Sequence, residues 1–471
     1  MVMIHHNACT NAPRGLLILW LLWLPLEVFS QNQSSGVAPV PSGSGVVLRQ
    51  SLSGPYTLVE RSDWARYDNG KYTGHVYREV RYQLRPVQES TDVRYTGTVY
   101  VFEETLRDLQ KAARFLDTIV PVEFTLSPTG FIKIKLDEGY PSLRNFPLLI
   151  DTPLSPGDSW VGQGQRVVDP RNDGNRVSLP IVVEYVFQGE ELYKGEKVYR
   201  IRAQYATRYK ATGQRGLAAS ETFSEASGKH VVDILLRSSD GRPVLMRDSL
   251  DETFLWPDGT AVRYKGFTLS FSEGYLPFDR GAVVAQLARQ LGAEPGAAGT
   301  GGITSTGTAV QAGGETPQAE GLFQLDEGSS APTQPPPVVD LPGQNIEIAA
   351  VPEGIKLTVR DIRFVADSEQ ILPTERGRLD LIAQAVKSVL EATSGQTMVL
   401  VEGYTASVGK PEGEQELSVR RAKKIVDELA ARGIPADRFM YKGWGGTKPI
   451  ADNSTETGRA KNRRVEITII Q

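Results

Sequence analysis

The chain has 471 residues, 23% of them charged, with a formal net charge of -4. That length exceeds one ordinary domain and suits two or three. The near-balanced charge excludes a global electrostatic footprint for nucleic acid, so no nucleic-acid partner is expected.

Residues 1–30 read as a secretory signal. The apolar run LLILWLLWLPLEVF follows Arg14 and leads to an expected cleavage after Ser30. An uncleaved anchor is the alternative, but Pro25 and Glu27 interrupt the roughly 20 apolar residues that a span needs. Cys9, the only cysteine, precedes this run, so the mature chain is expected to carry no thiol, disulfide or sulfur-linked lipid. The protein is expected to be exported and periplasmic, with outer-membrane association left open.

Residues 46–291 read as a β-rich antiparallel body. Val182, Glu184 and Val186 interleave with Ile181, Val183, Tyr185 and Phe187. Tyr199, Ile201, Ala203 and Tyr205 alternate with Arg200, Arg202 and Gln204. A period of two places each set on one sheet face. Turn residues separate the runs, as at Asp240-Gly241 and Pro257-Asp258-Gly259. A helix is expected near Glu103 to Thr118, with Leu106, Leu109, Ala113 and Leu116 on one face. The body is expected as one unit or as two lobes with a seam near Pro147. The segment FPLLIDTPLSPGDSW resembles half-barrel envelope proteins that hold apolar cargo; a strongly curved sheet with a filled core fits the same pattern. In the half-barrel reading, Tyr185, Phe187, Tyr199 and Ile201 line the concave face. A short helix, Asp279 to Leu291, is expected to close the body.

Residues 292–345 are rich in Gly, Ala, Thr, Gln and Pro and lack apolar periodicity. They are expected to form a flexible linker, because such a segment buries too little surface to offset its ordering entropy. A flexible chain of this length spans on the order of 40 Å. It would let the flanking modules sit at different depths in an envelope.

Residues 346–471 alternate strands and helices. IKLTVRDIRF reads as a strand, and Pro373 opens a helix whose stripe contains Leu379, Ile382, Val386 and Val389. TMVLVEGY is a central strand. Leu417, Ala422, Ile425, Val426 and Leu429 stripe a second helix, ended by Gly433 and Pro435. Strands near Phe439–Gly443 and Arg464–Ile470 complete a two-layer α/β sandwich of order β-α-β-α-β-β. The whole is a multidomain α+β protein.

Ordered motifs run through this region: Phe364 with Ser368 and Leu372-Pro373; Gly403-Tyr404-Thr405 with Gly409; Leu417-Ser418 with Arg421-Ala422; Gly443-Trp444-Gly445; and Asn462-Arg463-Arg464-Val465-Glu466-Ile467. On these residues the region resembles the OmpA-like C-terminal domain. Outer-membrane-protein-A relatives, peptidoglycan-associated lipoproteins and flagellar stator B proteins share that domain. The resemblance implies non-covalent binding of peptidoglycan through a diaminopimelate of the stem peptide. An aspartate meets the ligand ammonium there, and an arginine meets its carboxylate in a two-pronged contact.

By that resemblance the ligand-binding residues are Thr405, Ala406, Glu414, Leu417, Arg421 and Arg464. The arginine is Arg421. The aspartate expected after Thr405 is Ala406, and Glu414 stands where the family often has asparagine. The grip is therefore expected to be weakened or lost. Glu414 is a candidate replacement carboxylate; as a first-turn residue it also suits the positive end of the helix dipole. Arg421 has an alternative as a core-edge residue paired with Glu402 or Glu466.

No catalytic reading competes. After signal removal only His75 and His230 remain, neither at metal-ligand spacing, and GxSxG, phosphate-loop and HExxH motifs are missing from the sequence. The chain reads as non-enzymatic, with no cofactor and no metal. The alternative to wall binding is a structural or cargo protein acting on envelope proteins or lipid through the β-rich body.

Overall fold

Strict alternation produces long strands. In the segment Val177–Tyr193, Leu179, Ile181, Val183, Tyr185 and Phe187 are buried, while Pro180, Val182 and Glu184 between them face out. The computed structural model describes residues 45–88, 91–104, 113–211, 222–272, 278–293, 338–365, 367–393 and 397–470. The expected signal segment, and the expected linker from residue 294 to 337, lie outside the described residues.

The body contains β1 (Leu58–Asp68), β2 (Lys71–Gln88) and β3 (Val93–Glu104), then β4 (Arg114–Phe115), β5 (Thr118–Leu126) and β6 (Ile132–Leu136). It continues with β7 (Leu143–Arg144), β8 (Ser159–Val168), β9 (Val177–Tyr193), β10 (Glu196–Lys210), β11 (Glu225–Arg237), β12 (Pro243–Leu255) and β13 (Ala261–Ser272). All but β4 form one 12-stranded antiparallel sheet, ordered β6-β5-β3-β2-β1-β13-β12-β11-β10-β9-β8-β7. The pairing of β1 with β13 joins the two lobes into a continuous sheet.

Connectivity requires this sheet to curl. A flat sheet of 12 strands would separate its edges by roughly 50 Å at about 4.8 Å per strand. Yet edge strands β6 and β7 are joined only by residues 137–142, a stretch that reaches about 25 Å at most. The edges must approach each other, and the sheet becomes a partly closed barrel.

The helix expected over Glu103–Thr118 is corrected at its ends. Glu103 and Glu104 finish β3, Arg114 and Phe115 form β4, and Thr118 opens β5; residues 105–112 lie outside the described residues. Leu116 is fully buried, but against a distant sheet, so its place in an apolar stripe carried no helical information. Tyr185, Phe187 and Ile201 likewise belong to a filled core, where Trp160 stacks on Tyr185 at 5.1 Å.

The second sheet has seven strands ordered β14-β15-β16-β19-β17-β18-β4. Its own strands are β14 (Val338–Leu341), β15 (Ile346–Val351), β16 (Gly354–Arg360), β17 (Val399–Gly403), β18 (Phe439–Gly443) and β19 (Arg464–Ile470). Helices α1 (Arg280–Gln290), α2 (Arg376–Ala392) and α3 (Pro411–Ala431) share its core, and a short α4 (Glu456–Asn462) precedes β19. Two assignments change. Helix α1, capped by Asp279, packs Val283, Val284 and Leu287 into this core rather than closing the β-rich body. Strand β14 occupies part of the expected linker, held by its ladder to β15.

The face of this sheet opposite the helices is covered too. Met398, Leu400, Met440 and Ile470 pack with Tyr100, Phe102 and Leu116 of the body. Strand β4 adds to the sheet in parallel beside β18. Lys442 Nζ donates to the carbonyl oxygens of Leu116 at 3.1 Å and Asp117 at 2.6 Å.

Candidate functional site

The site is built where β17 hands over to α3. Two motif glycines set how closely that helix lies on the sheet. A Cβ on Gly403 would strike the Ser418 carbonyl oxygen, and one on Gly443 would strike Ser418 Oγ and the Val419 amide nitrogen. Ser418 Oγ also accepts from Gly445 N at 2.9 Å, tying the helix to the turn after β18.

The loop from Tyr404 to Lys410 is fixed amide by amide. Tyr404 N donates to Arg464 O at 3.0 Å and Thr405 N to Gly445 O at 2.9 Å. Ser407 N donates to Asn453 Oδ1 at 3.2 Å, and Asn453 Oδ1 is itself held by Asn462 Nδ2 at 2.8 Å. Val408 N and Gly409 N both donate to Glu414 Oε1, at 2.7 and 2.6 Å. Pro411 sits in the first turn of α3, where its missing N–H costs nothing.

Thr405, Ala406, Glu414, Leu417, Arg421 and Arg464 all line one cavity of about 660 Å³. Ala406 is 5% exposed and presents a methyl group there. Thr405 is 6% exposed, and its Oγ1 is buried without a hydrogen-bond partner among the described residues. Arg421 Nε donates to Ser368 O at 3.1 Å, and its guanidinium lies 4.6 Å from the Phe364 ring centroid. Burial lowers its pKa while Asp367 opposes that shift.

Arg421 does not pair with Glu402 or Glu466. Glu402 accepts from Trp444 Nε1 at 2.7 Å, and Glu466 accepts from Arg464 Nε at 2.8 Å and Lys356 Nζ at 2.8 Å. Arg464 is further committed by a bond to Lys448 O at 3.2 Å and by its position 3.7 Å over the Tyr404 ring. Glu414 is committed to the loop.

Residues that motif spacing missed also border the cavity, Asp361, Asp367, Arg363, Lys410 and Arg420, as does Arg463, a motif residue not expected to bind ligand. Cations outnumber carboxylates around it, which suits a ligand carboxylate. The adjacency of Asp367 to motif residue Ser368 was the available signal.

The OmpA family profile matches residues 363–463. The peptidoglycan-binding protein ArfA of Mycobacterium tuberculosis is 38% identical over 108 residues, covering 23% of this chain and 32% of ArfA. The chain therefore spans about a third of that relative's length. The outer-membrane lipoprotein YfiB of Pseudomonas aeruginosa is 31% identical over 156 residues, covering 31% of this chain and 89% of YfiB. Among solved structures, the cell wall anchor of the T6SS from Pseudomonas aeruginosa is 30% identical, covering 28% of this chain and 91% of that one, with a TM-score of 0.25.

Proposed function

The chain belongs to the OmpA family, and on that premise we propose that it is a non-enzymatic protein of the cell envelope whose C-terminal module docks on peptidoglycan-type stem peptide with a reduced grip. One observation carries this reading. The cavity holds Arg421 and the unpartnered Thr405 hydroxyl for a ligand carboxylate, but position 406 offers a methyl where an ammonium needs an anion. Glu414 Oε1 takes two loop amides, which supports a role in holding the loop over one in replacing that anion. Loss of one charge-assisted hydrogen bond costs about 1.5–3 kcal/mol, one to two decades of affinity.

Co-sedimentation of the full mature chain with purified sacculi tests the reading. Expected is measurable but easily saturable pelleting that Arg421→Ala removes. Tight pelleting indifferent to Arg421→Ala overturns it. The curled sheet of the β-rich body borders a separate cavity of about 430 Å³, which supports a second role there.

A further inference from the structure

That second cavity exists because of which residues point inward. Along β13 the inward positions after Tyr264 are Gly266, Thr268, Ser270 and Ser272. They stand opposite Trp64, Ser62, Glu60 and Leu58 of β1. Four small residues in a row cannot fill a curled sheet of this width, whereas close packing is the rule for interiors. The lining from Leu58 to Trp64 follows β1 for six residue steps, about 20 Å at roughly 3.3 Å per residue. The space is therefore elongated, and its volume falls in the range of small-molecule sites.

Its two ends differ. Around Leu58 the wall carries Tyr56, Val80, Tyr95, Leu126 and Ile132, with Arg242 beside them held by the backbone carbonyl oxygens of Ser51 and Pro55. Toward Trp64 the apolar Val168, Leu250, Phe254 and Tyr264 share the wall with charged groups, most of which pair with one another. Arg166 pairs with Glu252, which also accepts from Thr207 Oγ1 at 2.6 Å. Asp248 accepts from Tyr205 OH at 3.1 Å and lies 2.9 Å from His230 Nδ1. Arg78 donates to Tyr140 OH at 2.6 Å and lies 3.9 Å from Glu103, and Ser142 Oγ donates to Glu60 at 3.3 Å. Burial, outweighing the nearby arginines, raises the Glu60 and Glu103 carboxyls above the usual range.

Two donors remain. Trp64 Nε1 and Arg78 Nε are buried without a hydrogen bond among the described residues, Arg78 Nε standing 3.9 Å from Glu103 Oε2, and both side chains line the cavity. Buried donors of this kind are rare and call for an acceptor. An ionic ligand would place an extra charge among buried charges most of which already have partners, at a large desolvation cost. A neutral acceptor carries no such penalty.

We propose that the cavity of the β-rich body binds an uncharged, elongated amphiphile: a hydrocarbon chain against the Leu58 end and neutral hydroxyl or ester oxygens against Trp64 and Arg78. The proposal is independent of wall binding by the C-terminal module.

Calorimetric titration of the full mature chain with monolauroylglycerol, laurate and dodecylammonium, each below its micellar range, tests it. These probes share a chain length and differ in head-group charge. Monolauroylglycerol is expected to bind at least tenfold more tightly than either ion. Ser270→Leu, which fills the cavity floor, should reduce that affinity at least tenfold while cooperative melting persists. Trp64→Phe removes one donor without adding bulk and should weaken binding about two- to tenfold, the range for one neutral hydrogen bond. Absence of binding by monolauroylglycerol (a cavity filled by water only) overturns the proposal, as does equal binding of laurate. Should Ser270→Leu fail to fold, Trp64→Phe decides, and unchanged affinity in that variant is likewise fatal.

Discussion

Glu414 Oε1 holds the amide of Gly409 at 2.6 Å, so the one acidic side chain of the first α3 turn that faces the loop is spent on folding it. The same oxygen takes the Val408 amide at 2.7 Å. This accounts for how a loop with Ala406 keeps its shape: its amides are held by the Arg464 and Gly445 carbonyls and by the Asn453 and Glu414 side chains, and the side chain at 406 is not among the holders.

Restoring the missing anion should restore the grip. Ala406→Asp is expected to raise affinity for diaminopimelate-containing wall fragments by about one to two decades, the worth of one charge-assisted hydrogen bond. The gain should vanish in Ala406→Asp with Arg421→Ala, because the ligand carboxylate then loses its partner. Calorimetry on the two variants decides; a gain that persists without Arg421 would place the ligand elsewhere.

Removing the clamp should loosen the loop. Glu414→Ala forfeits two charge-assisted bonds, and because both are exposed to solvent their combined loss is expected to destabilise the module by about 1.5–3 kcal/mol rather than twice that. Glu414→Gln, which keeps an acceptor oxygen, should cost less. Denaturant unfolding measures both, and hydrogen exchange at Val408 and Gly409 should accelerate in Glu414→Ala. Unchanged exchange there would contradict the clamp.

Docking of the body on the second sheet should outlast a break in the chain between them. A protease site engineered within residues 273–277, which leaves α1 with the C-terminal fragment, should yield two fragments that co-elute on gel filtration. Leu116→Asp places a charge against Leu400 and Met440 and should let the cut fragments separate. In the uncut chain Leu116→Ala should cost about 2–5 kcal/mol, the range for a deleted buried leucine. Separation of the native fragments on cutting would disprove a stable docking.

Stability should fall on both sides of a mildly acidic optimum. Glu79 is fully buried among Arg81, Arg114 and Arg61. Burial alone would raise its pKa, but the guanidiniums outweigh it and hold the carboxyl at about 2. A lowered folded pKa means stabilisation that is complete above the unfolded value near ~4.3 and lost as pH falls toward the folded one. His230 has the opposite sign. Burial and Arg166 push its pKa down, hydrogen bonds to Asp248 and Glu252 push it up, and the net shift is upward. Its contribution is complete below about 6.5 and lost as pH rises through the folded value. Melting temperatures across this pH range should show both limbs, with His230→Gln flattening the upper one. An upper limb unchanged in that variant would assign it to other groups.

The alternation of Leu179 to Phe187 and the stripes of α2 and α3 determined their own strands and helices, because side-chain period follows directly from backbone geometry. The ordered glycines and arginines of residues 363–463 likewise determined the family. Tertiary structure decided the rest, through contacts between residues far apart in the chain. Lys442 and Leu116 meet across 326 positions, and no local pattern marks Leu116 as belonging to another module's sheet. The row Gly266 to Ser272 reads as an ordinary polar strand face until the sheet curls and turns that face inward around a cavity. Glu414 reads from sequence as a helix-end charge or a ligand group, and only the path of the loop back over its carboxylate reveals that it holds the Val408 and Gly409 amides. Periodicity reports which side of an element is buried; what buries it depends on chain crossings that carry no local signature.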